Sequence, residues 1–435
     1  MAVPRRMLPA LGGLAAVMCG AWIDPAAASP PPAGEPAPEQ RADQRIEQYL
    51  RAAPAGRREA EAALRRAGRA AAPAVARRLA EERDPDARRR LAALAAALDA
   101  DDVAVRLAEP TRITAAFRDQ PAVEVIRNLA ARVGWTVVDR RAVEPDKTTL
   151  LSLAFDETPV LEALSQACAQ AGCVWRIRPG ERLHLESVDA GCRPPEAFAG
   201  PFMMRLTQVR RDFDLAGGSA AAVWGLELQW EPKVDLLAVD AHATPAAVWD
   251  STGADLRLPS PGPALKTAQR TQSVPVTLVT AAPSPGAGKL DRLEFTVAMV
   301  VIGRTERMEI RPLDPGRTYT LIGRRSGIPI TVRPAQEVSS RWQVQVAVGQ
   351  GESEVHQDLI AQGFAVTPTF ELTDSAGKAL SANWYWQGRL IGEPVFNLYH
   401  YRNGDSRPAA LAVELPVSFY RHAVRFRLEG LSLGR

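Results

Sequence analysis

Apolar positions recur at helical spacing over residues 41–108, as at Val75 and Leu79 and again at Leu91, Leu94 and Leu98. Ala and Arg, both strong helix formers, dominate this stretch. Gly68 is expected to end one helix, and Asp84-Pro85 to begin another with Asp as N-cap and Pro at the first helical position. About four helices fit, fewer than a free-standing solenoid needs, so the segment should pack on its neighbour. From residue 200 to residue 435 the pattern changes to alternation, with turns rich in Gly, Pro and Asp, which predicts an all-β region.

Between these regions, residues 111–188 contain a repeat. Ile113–Val138 aligns with Leu151–Arg176 at an offset of 38, placing Phe117 on Phe155, Pro121 on Pro159, Glu124 on Glu162 and Gly134 on Gly172. Each copy reads as a short strand, a turn, a Pro-opened amphipathic helix ending at Gly, and a second strand. Thr158 is the expected cap of the second helix, and Asp119 or Gln120 of the first. The last strand, Val174–Ile177, runs through Pro179-Gly180 into Leu183-His184-Leu185 as a hairpin. The product is a duplicated β-α-β unit.

A second duplication runs through the β region. Trp224-x-Leu226-x-Leu228 matches Trp342-x-Val344-x-Val346 at an offset of 118, and Leu293–Leu313 matches Leu411–Leu431 at the same offset. Asp250-Ser251-Thr252-Gly253 corresponds to Asp374-Ser375-Ala376-Gly377 at an offset of 124, an Asp-x-x-Gly turn in both. Two tandem Ig-like β-sandwiches explain this pattern, at residues 195–315 and 316–435.

Leu64–Val75 followed by Asp84-Pro85-Asp86-Ala87-Arg88 resembles a HEAT repeat in its Gly, its early Pro and its Asp-Pro-x-x-Arg entry, so residues 41–109 are read as HEAT-like helical hairpins. Residues 110–190 resemble the short N-terminal domain of secretins and TonB-dependent receptors, through "P-x-x-E-x-[IL]", Gly, strand, "DETPVLEAL…G" and a closing hairpin. That resemblance covers under a fifth of the chain. It implies a multidomain α+β protein of the cell envelope, whose short domain is an interaction module and not a catalyst. The chain lacks the long series of amphipathic strands of the outer-membrane barrels in that family. The order of segments, with "LQWEPK" and "VRFRLEGLSL", is also similar to exported bacterial proteins that append this β region to such a domain, and that likeness implies no activity.

The N-terminus carries an address. Arg5 and Arg6 precede an apolar stretch, Met7–Ile23, and Ala26-Ala27-Ala28 supplies the small residues of a cleavage site. Residues 1–28 are therefore read as a secretory signal, and residues 29–40 as a Pro-rich linker. An uncleaved membrane anchor, or lipidation at Cys19, is the alternative. After cleavage no transmembrane segment is expected, and the protein would be periplasmic. Export leaves Cys168, Cys173 and Cys192, of which Cys173 and Cys192 flank the hairpin and form the candidate disulfide. Small buried hydrophobes are the other reading of these residues.

Charge narrows the partners. Against 53 Lys+Arg stand 50 Asp+Glu, a net charge of +3, which argues against nucleic acid as a partner. Runs such as Arg65-Arg66, Arg77-Arg78 and Arg88-Arg89-Arg90 interleave with acids and read as a solvated helix face. Gly286-Ala287-Gly288-Lys289 is no phosphate loop, since Leu290 follows where Ser or Thr must reach magnesium. His184, His242, His356, His400 and His422 show no metal-ligand spacing, so no metal, cofactor or catalytic residue is assigned. Asp235 with Asp240, and Glu352 with Glu354, read as solvated strand positions and not as paired catalytic acids.

The candidate partner surface is aromatic. Trp384 and Trp386 share a strand face, as do Tyr399 and Tyr401 on the following segment, and pairing of the two strands would join them in a cross-strand row. The expected function is a non-enzymatic exported module that binds an envelope protein partner, linked to a secretion or outer-membrane system. The alternative is a carbohydrate- or peptidoglycan-binding module that uses the aromatics from Trp384 to Tyr401.

Overall fold

The structure is a computed structural model that describes residues 38–141, 149–178, 182–188, 193–213, 220–314, 316–323, 327–338, 341–349, 357–359, 366–390, 393–401 and 407–433. The expected signal and nearly all of the expected linker lie outside the described residues. The chain is a mixed α+β protein with several sheets. No helix among the described residues is long and apolar enough to cross a membrane.

The Ala/Arg-rich segment forms α1 (Pro38–Arg51), α2 (Pro54–Ala67), α3 (Ala72–Glu81) and α4 (Pro85–Ala108). Gly68 takes φ 51° and turns its N–H back onto the carbonyls of Leu64 and Arg65. Asp84 caps α4 by accepting from the N–H of Asp86 at 3.0 Å. Ile46, Leu64, Val75, Leu91, Leu94 and Leu98 form the helical core. The arginine runs do more than line a wet helix face, because several pair between helices: Arg65 with Asp101, Arg69 with Asp102 and Arg77 with Asp43. Val103 and Leu107 at the end of α4 enter the core of the β region, and Arg106 donates to the carbonyl of Gly303. The helices therefore dock on the sheet, as their small number requires.

The repeat that follows gives β1 (Arg112–Pro121), α5 (Ala122–Ala131), β2 (Thr136–Asp139), β3 (Leu150–Pro159), α6 (Val160–Gln170), β4 (Cys173–Arg178) and β5 (Arg182–Ser187). β1 and β3 pair antiparallel, while β2, β5 and β4 form a second sheet in that order, with β2 parallel to β5. The 38-residue offset reappears in the hydrogen bonds. Asp119 and Glu157 take φ 47° and 46°. The N–H of Asp119 donates to Ser152 Oγ at 3.0 Å, and the N–H of Glu157 to Thr114 Oγ1 at 3.1 Å. Ala122 N–H reaches the carbonyl of Thr149, and Val160 N–H that of Thr111, both at 2.8 Å. Each copy thus secures the other copy's helix entry. This corrects the expected caps. Pro121 and Pro159 occupy the N-cap positions without side-chain bonds, and Thr158 donates to the carbonyl of Asp156 instead. A neighbouring strand supplies the acceptors, so no local cap is needed.

The first β segment runs through β6 (Glu196–Ala199), β7 (Phe202–Phe213), β8 (Ala220–Trp230), β9 (Leu236–Asp240), β10 (His242–Asp250), β11 (Leu265–Thr267), β12 (Ser273–Ala281) and β13 (Lys289–Ile310). The second comprises β14 (Tyr319–Ile322), β15 (Pro329–Val338), β16 (Arg341–Val348), β17 (Thr369–Thr373), β18 (Ala379–Leu380), β19 (Ala382–Leu390), β20 (Glu393–Tyr401) and β21 (Ala410–Ser432). One sheet runs β18-β17-β21-β13-β10-β12-β8-β7-β6, with β9 and β11 off this path, and the other β14-β15-β16-β20-β19.

The offsets of 118 and 124 residues are also structural. Val248 lies opposite Leu293, and Leu372 opposite Leu411. Both Asp-x-x-Gly turns form: Gly253 and Gly377 take φ 85° and 80°, and each Asp accepts from backbone N–H groups two and four residues on. The expected boundary at 315/316, however, does not separate two sandwiches. β13 and β21 pair antiparallel from Lys289↔Ser432 to Ile310↔Leu411 and run through both cores. Val424, Phe426, Leu428 and Leu431 complete the first core, while Val300, Ile302, Met308 and Ile310 enter the second. The physical reason is length. Strands of 22 and 23 residues extend to roughly 70 Å at about 3.3 Å per residue, far beyond one core. Leu293 faces Leu428, whose duplicate counterpart is Ile310, and Ile310 faces Leu411, the counterpart of Leu293. The two copies are thus exchanged about a local two-fold between Val301 and Ile302.

Candidate binding cleft

The units are joined by buried polar clamps. Glu231, with no exposed surface, accepts from the N–H and hydroxyl of Thr111 and pairs with Lys233 at 3.2 Å. Buried Arg205 pairs with Glu196 at 2.7 Å, donates to the carbonyl of Trp175 at 2.6 Å and stacks on the Trp175 ring. Trp135 donates its indole N–H to Gln272 Oε1 at 2.7 Å.

Beside these clamps an open cleft of about 610 Å³ lies between the end of β4, the turn at residues 268–272, the crossing of β13 with β21 and the start of β17. This volume falls within the range of ligand pockets. Its walls mix apolar groups (Ile177, Trp230, Ile302), threonines, the carboxylates Asp235 and Glu414, and two guanidiniums, Arg178 and Arg270.

Arg270 is the unusual group. Its backbone takes φ 61°, a left-handed conformation that costs a residue with a side chain about 1–2 kcal/mol. The turn around it is tied at each position. Ala268 N–H bonds the carbonyl of Leu237, and Thr271 N–H that of Ala268. Gln269 donates to the carbonyl of Thr367 at 2.8 Å and accepts from its N–H at 3.1 Å. The guanidinium lies 4.7 Å from the centroid of Trp384 and donates to the carbonyl of Pro368 at 3.3 Å. Burial holds its pKa below the usual arginine value. Among the described residues no carboxylate pairs with it. By contrast Glu414 pairs with Arg307, and Arg178 with Glu186.

The expected aromatic row is not formed. β19 and β20 do pair, but Trp384 stands opposite Leu398 and Tyr399 opposite Asn383. Trp384 meets Phe370 and Phe396 edge-on at 6.0 and 5.9 Å and borders the second core. Tyr399 lies under Arg341 at 4.9 Å. The side chains of Trp386 and Tyr401 lie outside the described residues. The period-2 pattern locates the two faces but not which pairs meet, and the register sets Trp384 opposite Leu398 and Trp386 opposite Phe396, out of step with Tyr399.

Of the expected disulfide, Cys192 lies outside the described residues. Cys173 is a free buried thiol that hydrogen-bonds with Cys168, and this bond together with burial pushes the Cys168 thiol well up. Asp235 lines the cleft, but Asp240 is turned away and accepts from the N–H groups of His242 and Ala264. Glu352, Glu354 and His356 lie outside the described residues. His242 and His400 bond backbone carbonyls, His422 stacks on Phe202, and burial lowers the pKa of His184 and His422. Among the described residues no three His, Cys, Asp or Glu side chains gather as a metal site. The sequence reading missed Arg270. Nothing in Ala268-Gln269-Arg270-Thr271-Gln272 signals a left-handed residue, since it lacks the Gly or Asn that usually marks one.

No family model matches the chain, and no curated protein matches it. A solved structure described as the conserved domain protein from Bacillus anthracis aligns with 54% of this chain and 89% of its own length, at 10% identity and a TM-score of 0.17. At that level the likeness carries no argument about fold or function.

Proposed function

We propose that the chain is an exported, non-catalytic interaction module of the cell envelope, and that its partner engages the cleft between the short-domain and β units. The observation that carries this reading is Arg270: a guanidinium fixed on Trp384 at the edge of an open cleft. A fixed cation is suited to holding a ligand. The address read in residues 1–28, the secretin/TonB-like repeat at 110–190 and the HEAT-like helices at 41–109 support an envelope role for such a module. Ig-like halves joined by exchanged strands make a stiff support. Secretion or outer-membrane assembly is the setting proposed for it.

Two experiments test the reading. Alkaline phosphatase fused after residue 40 should be active in a bacterial host if the segment exports it, and inactivity removes the envelope assignment. Crosslinking the full chain in envelope extract, followed by mass spectrometry, should return a protein attached near the cleft. Recovery of peptidoglycan with no protein would replace the interaction reading with the glycan one.

A further inference from the structure

We infer that the cleft is a carboxylate-binding site and that its ligand is an extended peptide segment presenting one acidic group to Arg270. The inference deepens the interaction reading above and rests on it.

The argument begins with preorganisation. A flexible arginine loses side-chain freedom when it grips a ligand, and that loss subtracts from affinity. Here the freedom is already removed. The backbone at Arg270 is in the left-handed region, and the neighbouring Gln269 is locked to both backbone groups of Thr367. The face of the guanidinium rests on Trp384, which is itself held edge-on by Phe370 and Phe396. The strain is therefore sustained by contacts from both β segments, the arrangement in which unfavourable backbone persists at binding sites. With one face on the indole and one N–H on the carbonyl of Pro368, the remaining N–H edge of the fork suits a carboxylate.

Charge and shape select the ligand class. Arg270 is the guanidinium of this cleft that pairs with no carboxylate among the described residues, since Arg178 pairs with Glu186, and the walls also carry the carboxylates Asp235 and Glu414. A polyanion such as nucleic acid needs a cluster of cations and would meet these carboxylates. One isolated acid on an otherwise neutral chain fits. Threonines (Thr305, Thr369) and apolar groups (Ile177, Ile302) line the cleft together, so both the amides and the side chains of a peptide would find contacts there.

The probe is an array of immobilised random decapeptides, each present in an acidic form and with Glu and Asp replaced by Gln and Asn. The purified full chain is applied, and the best peptide is titrated in solution. The acidic member of each binding pair should win by about tenfold or more, as expected for a charge-assisted hydrogen bond. Arg270→Asn, chosen because Asn tolerates the left-handed region, should lose that preference while the chain still melts cooperatively. Arg270→Lys should stay several-fold weaker than the wild type, because it keeps the charge and loses the fork. Trp384→Leu should weaken binding while leaving the preference for acid. Equal binding of acid and amide forms, or full retention in Arg270→Asn, overturns the inference. So does Arg270-dependent binding to peptidoglycan sacculi with no peptide bound. If the crosslinked envelope partner persists while the array shows no acid preference, the carboxylate assignment falls and the interaction reading stands. If both fail, the reading itself falls.

Discussion

The exchange of β13 and β21 makes a prediction about fragments. If residues 195–315 were an autonomous sandwich, a chain of residues 193–315 would fold alone. In the structure that fragment loses Val424, Phe426, Leu428 and Leu431 from its core, each under a tenth exposed. It also loses the ladder along the whole of β13 and the stacking of Phe426 on Phe295 at 5.9 Å. At roughly 1.5–3 kcal/mol for each buried side chain, the missing core amounts to about 6–12 kcal/mol. That is comparable with the entire stability of a domain, about 5–15 kcal/mol. The fragment should therefore not fold as a monomer. Because Leu428 is the counterpart of Ile310, a second copy of β13 can occupy the place of β21 with Leu293 opposite Ile310. Any folded species should be a dimer with concentration-dependent melting. Adding residues 316–433 in trans should convert it to a one-to-one complex. Light scattering and urea denaturation followed by circular dichroism decide the matter. A monomeric fragment with a sharp, concentration-independent transition would refute the reasoning.

Other perturbations test the remaining contacts. Gly303→Ala places a methyl 2.3 Å from the Tyr420 ring and 2.6 Å from Ser418 Oγ at the crossing of the long strands, and should destabilise by about 1–3 kcal/mol in urea titration. Glu231→Leu strands the N–H and hydroxyl of Thr111, and should cost about 3 kcal/mol and speed proteolysis between the short domain and the β region. Asp250, buried and accepting from Thr252, Ala254 and Ser284, has its pKa held far below the usual carboxylate range, chiefly by the Thr252 hydroxyl. Its contribution to stability is present above the unfolded pKa of about 3.9 and is lost as pH falls below it. The deficit of Asp250→Ala should accordingly be full at pH 7 and shrink towards about pH 2, and an equal deficit at both ends would contradict the assignment. Cys168 and Cys173 should resist alkylation in the native chain and react once it is unfolded, as free thiols buried together do.

Local features were legible in the chain because they are encoded locally. Helical spacing in residues 41–108 and alternation after residue 200 depend only on which side of an element meets water. Gly68, Asp84, Asp250 and Asp374 act on their own backbone, so their roles could be read from their neighbours in sequence. Both duplications were visible for a related reason: each copy keeps the residues that its fold needs, so an offset of 38 or 118 in the sequence returns as equivalent partners in space. Partner choice across long separations was not legible. A strand pattern is satisfied equally by a neighbour in its own half or by the exchanged strand of the other, and length and core closure select β21 for β13. The same holds at the cleft. Trp384 was named for its size and Arg270 passed over, but their stacking exists because residues 268–272 and β19, more than a hundred positions apart, are packed together by two cores. Residue type set what each side chain could do, and the long-range closure of the sheets set which of them meet.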